Sequence, residues 1–321
     1  MQQIITAVLA VGLSAASAVA DGRLIVINKG EDTASIIDGE SLTTLATLPT
    51  GGNPHEVHIS PDGRYAYVSD YGMSQGNSVT VLDLETLELE ATWSLGEFTG
   101  PHGIWASADG DVVWVTAERS NAVVELDARS GAIVRSWDTG QRASHQLAVA
   151  PDGSKIFVAN IVEDTFSIID RSSDEVITIG AGQRPEALDV SPDGRELWLG
   201  QNEGHEIRVY DTLTGEEITR FNSGGEVPIR LKFTPDGGQV FVSNANSALV
   251  TVFDAASREQ LASIDVGAVP VGIQMETNGH RAFVANMLDG FVTIIDRNTH
   301  EVIGRIEAGD QPDGLAWVET D

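Results

Sequence analysis

Short runs of alternating apolar and polar residues, each about six long, recur from Arg23 to the end of the chain, with turn residues between them. A period of two over so few residues is the pattern of half-buried strands. The clearest unit is Asn53 to Asp70, NPHEVHISPDGRYAYVSD. It predicts an inner strand, a Pro-Asp-Gly turn and a second strand. The turn has its own chemistry: Pro61 presets φ, Asp62 bonds nearby backbone amides, and Gly63 accepts positive φ. Related units begin at Pro101, Ser144, Pro185, Pro228 and Pro270, and a truncated one begins at Pro312. Successive starts lie 47, 43, 41, 43, 42 and 42 residues apart. Third strands follow and end on Asp38, Asp83, Asp127, Asp170, Asp211, Asp254 and Asp296, and a fourth strand, for example Ile133 to Trp137, closes each unit. Seven equivalent Asp residues, each opening a polar turn, are scaffold rather than catalysts.

Four strands in about 40–45 residues, repeated, is the signature of propeller blades. The chain enters its first unit part-way, since RLIVIN (Arg23 to Asn28) matches the second strands elsewhere, and it ends on a lone first strand at Pro312. Joined, the two ends complete one blade. The sequence therefore predicts an all-β, seven-bladed β-propeller with four antiparallel strands per blade, closed by its terminal strands, in one domain over residues 21–321.

Residues 1–20 read differently. An apolar stretch from Ile4 ends in Ala18-Val19-Ala20, the small-residue pattern of a cleaved export signal. The expectation is a mature start at Asp21 and a periplasmic or secreted protein, with no later apolar run long enough to span a bilayer. The 48 acidic against 19 basic residues give a formal net charge of -29, which argues against nucleic-acid phosphate or an anionic membrane as partner. With no cysteine, disulfides, thiolate metal sites and covalent c-type haem are excluded.

The second strands YVSD, WVTA, FVAN and FVSN, with SPDGR before the first, resemble the repeats of the YVTN family of seven-bladed propellers (the YncE-like family). That resemblance covers the chain from Asp21 onward and implies the fold, while its members include exported binding and surface proteins. The repeats are also similar to the haem-binding propeller of cytochrome-type nitrite reductases. GPHGIW with WVTAE downstream resembles the repeats of streptogramin lyases, which use a His and a magnesium ion at the channel mouth. That likeness reaches His102 and Glu118 only.

Repetition isolates the chemistry, because equivalent positions share scaffold demands. Directly after the residue that opens each inner strand stand His55, His102, His145, Glu186, Ile229, Val271 and Asp313. Three of the seven histidines occupy this one position in consecutive units, with Glu186 and Asp313 on either side of them once the ring is closed. Neutral imidazoles with carboxylates are ligands for a divalent transition-metal ion, so His55, His102, His145 and Glu186 form the expected site. Its affinity is expected to weaken as pH falls through the histidine range. Glu118, Asp313, Glu56, His58 and Arg230 are the candidate additions. Arg230 and Lys232, on the arc away from the histidines, either hold a substrate carboxylate or pair with Glu56 and Asp189. Three functions remain open: an exported protein that binds a metal ion or small molecule, a metal-dependent enzyme (a lyase or hydrolase of a cyclic ester, or an oxidoreductase), and a metal-free scaffold for another exported protein.

Overall fold

The computed structural model describes residues 21–320, so the export signal expected over residues 1–20 lies outside the described residues. Seven four-stranded antiparallel sheets are arranged as blades. We number them from the unit that starts at Pro54, so that blade 7 is the closing one. In blade 7 the C-terminal strand Pro312–Glu319 lies innermost and pairs with Gly22–Asn28, matching Leu24 with Trp317 and Val26 with Leu315. The expected shared blade is therefore present, and it removes the open sheet edge that would otherwise remain at the seam. Arg281 ties blade 6 to this closing blade. Its Nε donates to Glu276 Oε1 at 2.6 Å, and its Nη1 donates to the Gly39 carbonyl in the neighbouring blade at 2.8 Å.

Packing lies between blades. Tyr67, Val79 and Val81 of blade 1 meet Ile104, Val113, Val115 and Val124 of blade 2, and equivalent apolar clusters fill the remaining gaps. The second and third strands of each blade are almost wholly buried because they carry apolar side chains on both faces. Outer strands such as Glu88–Ser94 keep one buried side chain, Trp93, and are otherwise open to solvent. The Asp residues at the ends of the third strands are turn formers, as expected. Asp83 Oδ1 accepts from the amides of Glu85 and Thr86, both at 2.9 Å, and Asp211 does the same for Leu213 and Thr214.

Two local devices aim residues at the channel. The residue directly before each inner strand has positive φ, namely Asn53, Gly100, Ala143, Arg184, Val227, Val269 and Gln311. Just beyond it, the register between the two innermost strands slips in all seven blades. A bulge breaks the alternation of faces. Successive residues such as His55 and Glu56 can then both serve the channel, while Val57 returns to the core between blades.

Candidate functional site

The inner strands bring His55, His102 and His145 side by side at one channel mouth. The ring centres of His55 and His102 are 4.8 Å apart, and those of His102 and His145 are 3.5 Å apart with a 32° tilt. Tyr71, from the loop after the second strand of blade 1, covers them with its ring 4.6 Å from His55. Arg119 holds that loop down. Its guanidinium lies 4.0 Å from the Tyr71 ring centre and donates to the carbonyls of Tyr71 and Gly72, both at 2.8 Å.

The three imidazoles have different surroundings. His55 Nδ1 donates to the Asn53 carbonyl at 2.9 Å, which leaves Nε2 with its lone pair. Burial lowers its pKa to about 4. His102 is 2% exposed, and its Nδ1 has no hydrogen-bond partner among the described residues. Burial, reinforced by His145 and His55, pushes its pKa well below the usual imidazole range. His145 lies between two carboxylates, with Nδ1 2.5 Å from Glu118 Oε2 and Nε2 3.3 Å from Glu186 Oε1. Burial opposes charge on His145, but the hydrogen bonds to Glu118 and Glu186 outweigh it and raise its pKa to about 9. The site thus holds one imidazolium beside two neutral imidazoles.

The carboxylates are fixed in turn. Glu118 accepts the Tyr71 hydroxyl at 3.0 Å. Its pKa is lowered: burial opposes ionisation, and the His145 contact more than offsets that. Glu186 is brought down to about 2 against its burial by His145, Arg230 and Asn202. Arg230 takes the second of its two expected roles, pairing with Glu56. From blade 5 it crosses the channel to Glu56 of blade 1, its Nε 3.1 Å from Oε1, and its Nη1 lies 3.3 Å from the Glu186 oxygen that faces His145. Gln146 of blade 3 donates to the same Glu56 oxygen at 3.0 Å. Arg230, Glu56, Gln146 and Glu186 therefore form a buried polar septum below the histidines. Arg230 is fully committed to it, which removes Arg230 as a holder of a substrate carboxylate.

Two candidates are placed elsewhere. His58 lies on the far side of the septum, stacked on Trp105 with ring centres 4.6 Å apart. Asp313 accepts from Lys29 Nζ at 2.9 Å. Sequence reasoning did not single out Lys29, although its place in the loop after the second strand of blade 7 is equivalent to that of Tyr71 in blade 1. His205 caps a loop by accepting the Val227 amide. Among the described residues, no group of three His, Asp or Glu side chains stands at metal-holding separation. The physical reason is that both ring nitrogens of His145 face carboxylates and His102 is stacked on it.

Comparisons with known proteins agree on the fold. The family model "Lactonase, 7-bladed beta-propeller" matches residues 21–144, and the model "Cytochrome D1 heme domain" matches residues 198–316. The seven-bladed beta-propeller protein Rv1057 of Mycobacterium tuberculosis is 28% identical over 120 residues, covering 37% of this chain and 30% of that protein. Antigen Lp49 of Leptospira interrogans is 24% identical over 196 residues, covering 55% and 42%. Each match thus spans less than half of the relative. Among solved structures, the hydrazine synthase of Kuenenia stuttgartiensis superposes with a TM-score of 0.76 at 18% identity, over 91% of this chain and 99% of that one. The dihydro-heme d1 dehydrogenase NirN, in complex with DHE, gives 0.68 at 20% identity, over 89% and 63%. At these identities the structures speak for the fold alone. The chain is a seven-bladed β-propeller.

Proposed function

We propose that this protein is an exported binding propeller whose channel mouth takes a divalent transition-metal ion, with His55, His102 and His145 as nitrogen donors and Glu186 as the adjoining carboxylate. The observation that carries this reading is the hydrogen-bond pattern of the rings. Metal-ligating histidines as a rule donate their second N–H to a carbonyl or carboxylate. His55 does so through Nδ1 to Asn53, and His145 has Glu118 at its own Nδ1. That leaves the His55 Nε2 for a cation, beside a buried and unpartnered Nδ1 on His102, while the His145 Nε2 faces the Glu186 carboxylate. The proton on His145 occupies the place a cation would take next to Glu186, so metal binding has to displace it. Asp313 is neutralised by Lys29, and Glu56 by Arg230, so neither serves as a ligand.

The test is metal content by elemental analysis, with titration calorimetry using zinc(II), nickel(II) and copper(II). Single His55→Ala, His102→Ala and His145→Ala variants are expected to lose one equivalent of bound ion, while His205→Ala keeps it. Wild-type retention by all three variants, or no binding of any of the ions to the native protein, ends the reading.

The lower channel is too small for a haem of the d1 type. The channel cavity below the septum measures about 180 Å³, well under the roughly 300–1,000 Å³ of sites for drug-sized ligands, and the septum divides it from the histidines. A second reading, an enzyme acting on a cyclic ester, is favoured by the lactonase model over residues 21–144 and by His145, an acid with two carboxylates on its ring. Ring opening of simple lactones, followed with and without chelator and in Glu118→Gln, separates it from plain binding.

A further inference from the structure

Below the septum, on the side of the Pro-Asp-Gly turns, the channel widens into a cavity of about 180 Å³ that the histidine cluster does not line. The inner strands of blades 1, 2, 4 and 5 contribute His58, Trp105, Asp189 and Lys232 to its wall. Its polar groups are unevenly matched. Both Asp189 oxygens are taken by backbone amides, Oδ1 by Val190 at 3.1 Å and Oδ2 by Phe233 at 3.0 Å. Lys232 Nζ stands 3.8 Å from Asp189 Oδ2, beyond hydrogen-bond length, and 5.3 Å from the ring centre of Trp105. Among the described residues this long ion pair is what holds the ammonium.

His58 adds a second donor. Its Nδ1 accepts the Ala106 amide at 3.2 Å. The Ile59 carbonyl, 3.1 Å from the same nitrogen, competes only for a protonated Nδ1, whereas an amide is a donor in every tautomer. The neutral ring therefore carries its proton on Nε2, and burial keeps it neutral. The indole N–H of Trp105, stacked on His58, is the third donor. An ammonium held only by the long ion pair to Asp189, with two ring N–H groups in the same wall, offers its donors to an acceptor-rich ligand.

We propose that this lower cavity is a binding site for a small monocarboxylate, held by Lys232 together with the N–H groups of Trp105 and His58. The cavity volume suits a ligand of a few carbon atoms. This site shares no residue with the proposed metal site and stands independently of it.

The probe is sodium acetate, with acetamide as the neutral isostere at equal ionic strength, read by calorimetry and by tryptophan fluorescence. Acetate is expected to give a saturable one-to-one response and acetamide none. Lys232→Met is expected to weaken acetate by about tenfold or more. Trp105→Phe should abolish the fluorescence change, and His205→Ala should bind acetate as the native protein does. Equal responses to acetate and acetamide, no saturation, or unaltered affinity in a folded Lys232→Met protein would overturn the assignment. Calorimetry on Lys232→Met keeps the test decisive even where Trp105→Phe fails to fold.

Discussion

Replacing Arg230 by Met removes the cation at the centre of the septum and keeps most of its length. Glu186 would keep His145 and Asn202 as partners. Glu56 would keep only the Gln146 amide at 3.0 Å, so the uncompensated buried charge falls on Glu56. Breaking a buried pair from one side typically destabilises by about 3–5 kcal/mol. For a chain of this size that is roughly 6–20 °C in melting temperature, at about 2–4 °C per kcal/mol. Glu56 already has a raised pKa, because burial outweighs Arg230, and losing the guanidinium raises it further. A carboxylate whose pKa is higher folded than unfolded retains a proton that the unfolded chain releases. Stability therefore falls as pH climbs above the unfolded value of about 4.3. The loss in Arg230→Met should be smaller at pH near 5 than at pH near 8. Urea denaturation of native, Arg230→Met and Arg230→Met/Glu56→Gln proteins at both pH values measures this, and the double variant should regain most of the stability at the higher pH. A single variant within about 0.5 kcal/mol of native, or an equal loss at both pH values with no recovery in the double variant, would refute the reasoning.

Four further outcomes are expected. His145 is protonated up to about pH 9, so its contribution to stability is complete below the unfolded histidine value of about 6.5 and disappears as pH rises through 9. For the same reason metal binding should release about one proton at neutral pH and keep tightening toward pH 9, a window higher than ordinary histidines give; calorimetry in buffers of different ionisation enthalpy counts the proton. Gly22→Ala places a Cβ within the Trp317 ring at the seam and should destabilise the fold by about 1–3 kcal/mol, as overpacking does, seen as a lower melting temperature. N-terminal sequencing of protein from its native compartment should begin at Asp21, and an intact Met1 on the functional protein would exclude export through that signal.

The order of the chain determined the architecture, because every blade repeats the same local bargain. Alternation makes the strands, Pro-Asp-Gly and the terminal Asp make the turns, and the period alone places Pro54, Ser144 and Pro312 at equivalent points on one ring. Equivalence in the repeat also brought His55, His102 and His145 to one mouth, since neighbouring inner strands converge on a common axis. What lies across the ring was legible only as alternatives, the pairing of Arg230 with Glu56 standing beside a substrate role. Arg230 stands 174 positions from Glu56 and reaches it only because blades 1 and 5 face each other over the channel. No periodicity encodes the length and direction of a guanidinium. The protonation of His145 was hidden for a related reason. Its charge is set by Glu118, from a loop of blade 2, and by Glu186, from blade 4, and a histidine's pKa follows from which groups surround it rather than from its place in the repeat. The sequence named the residues of the mouth, and the tertiary structure decided which of them hold a proton, which are tied into the septum and which remain free to meet a ligand.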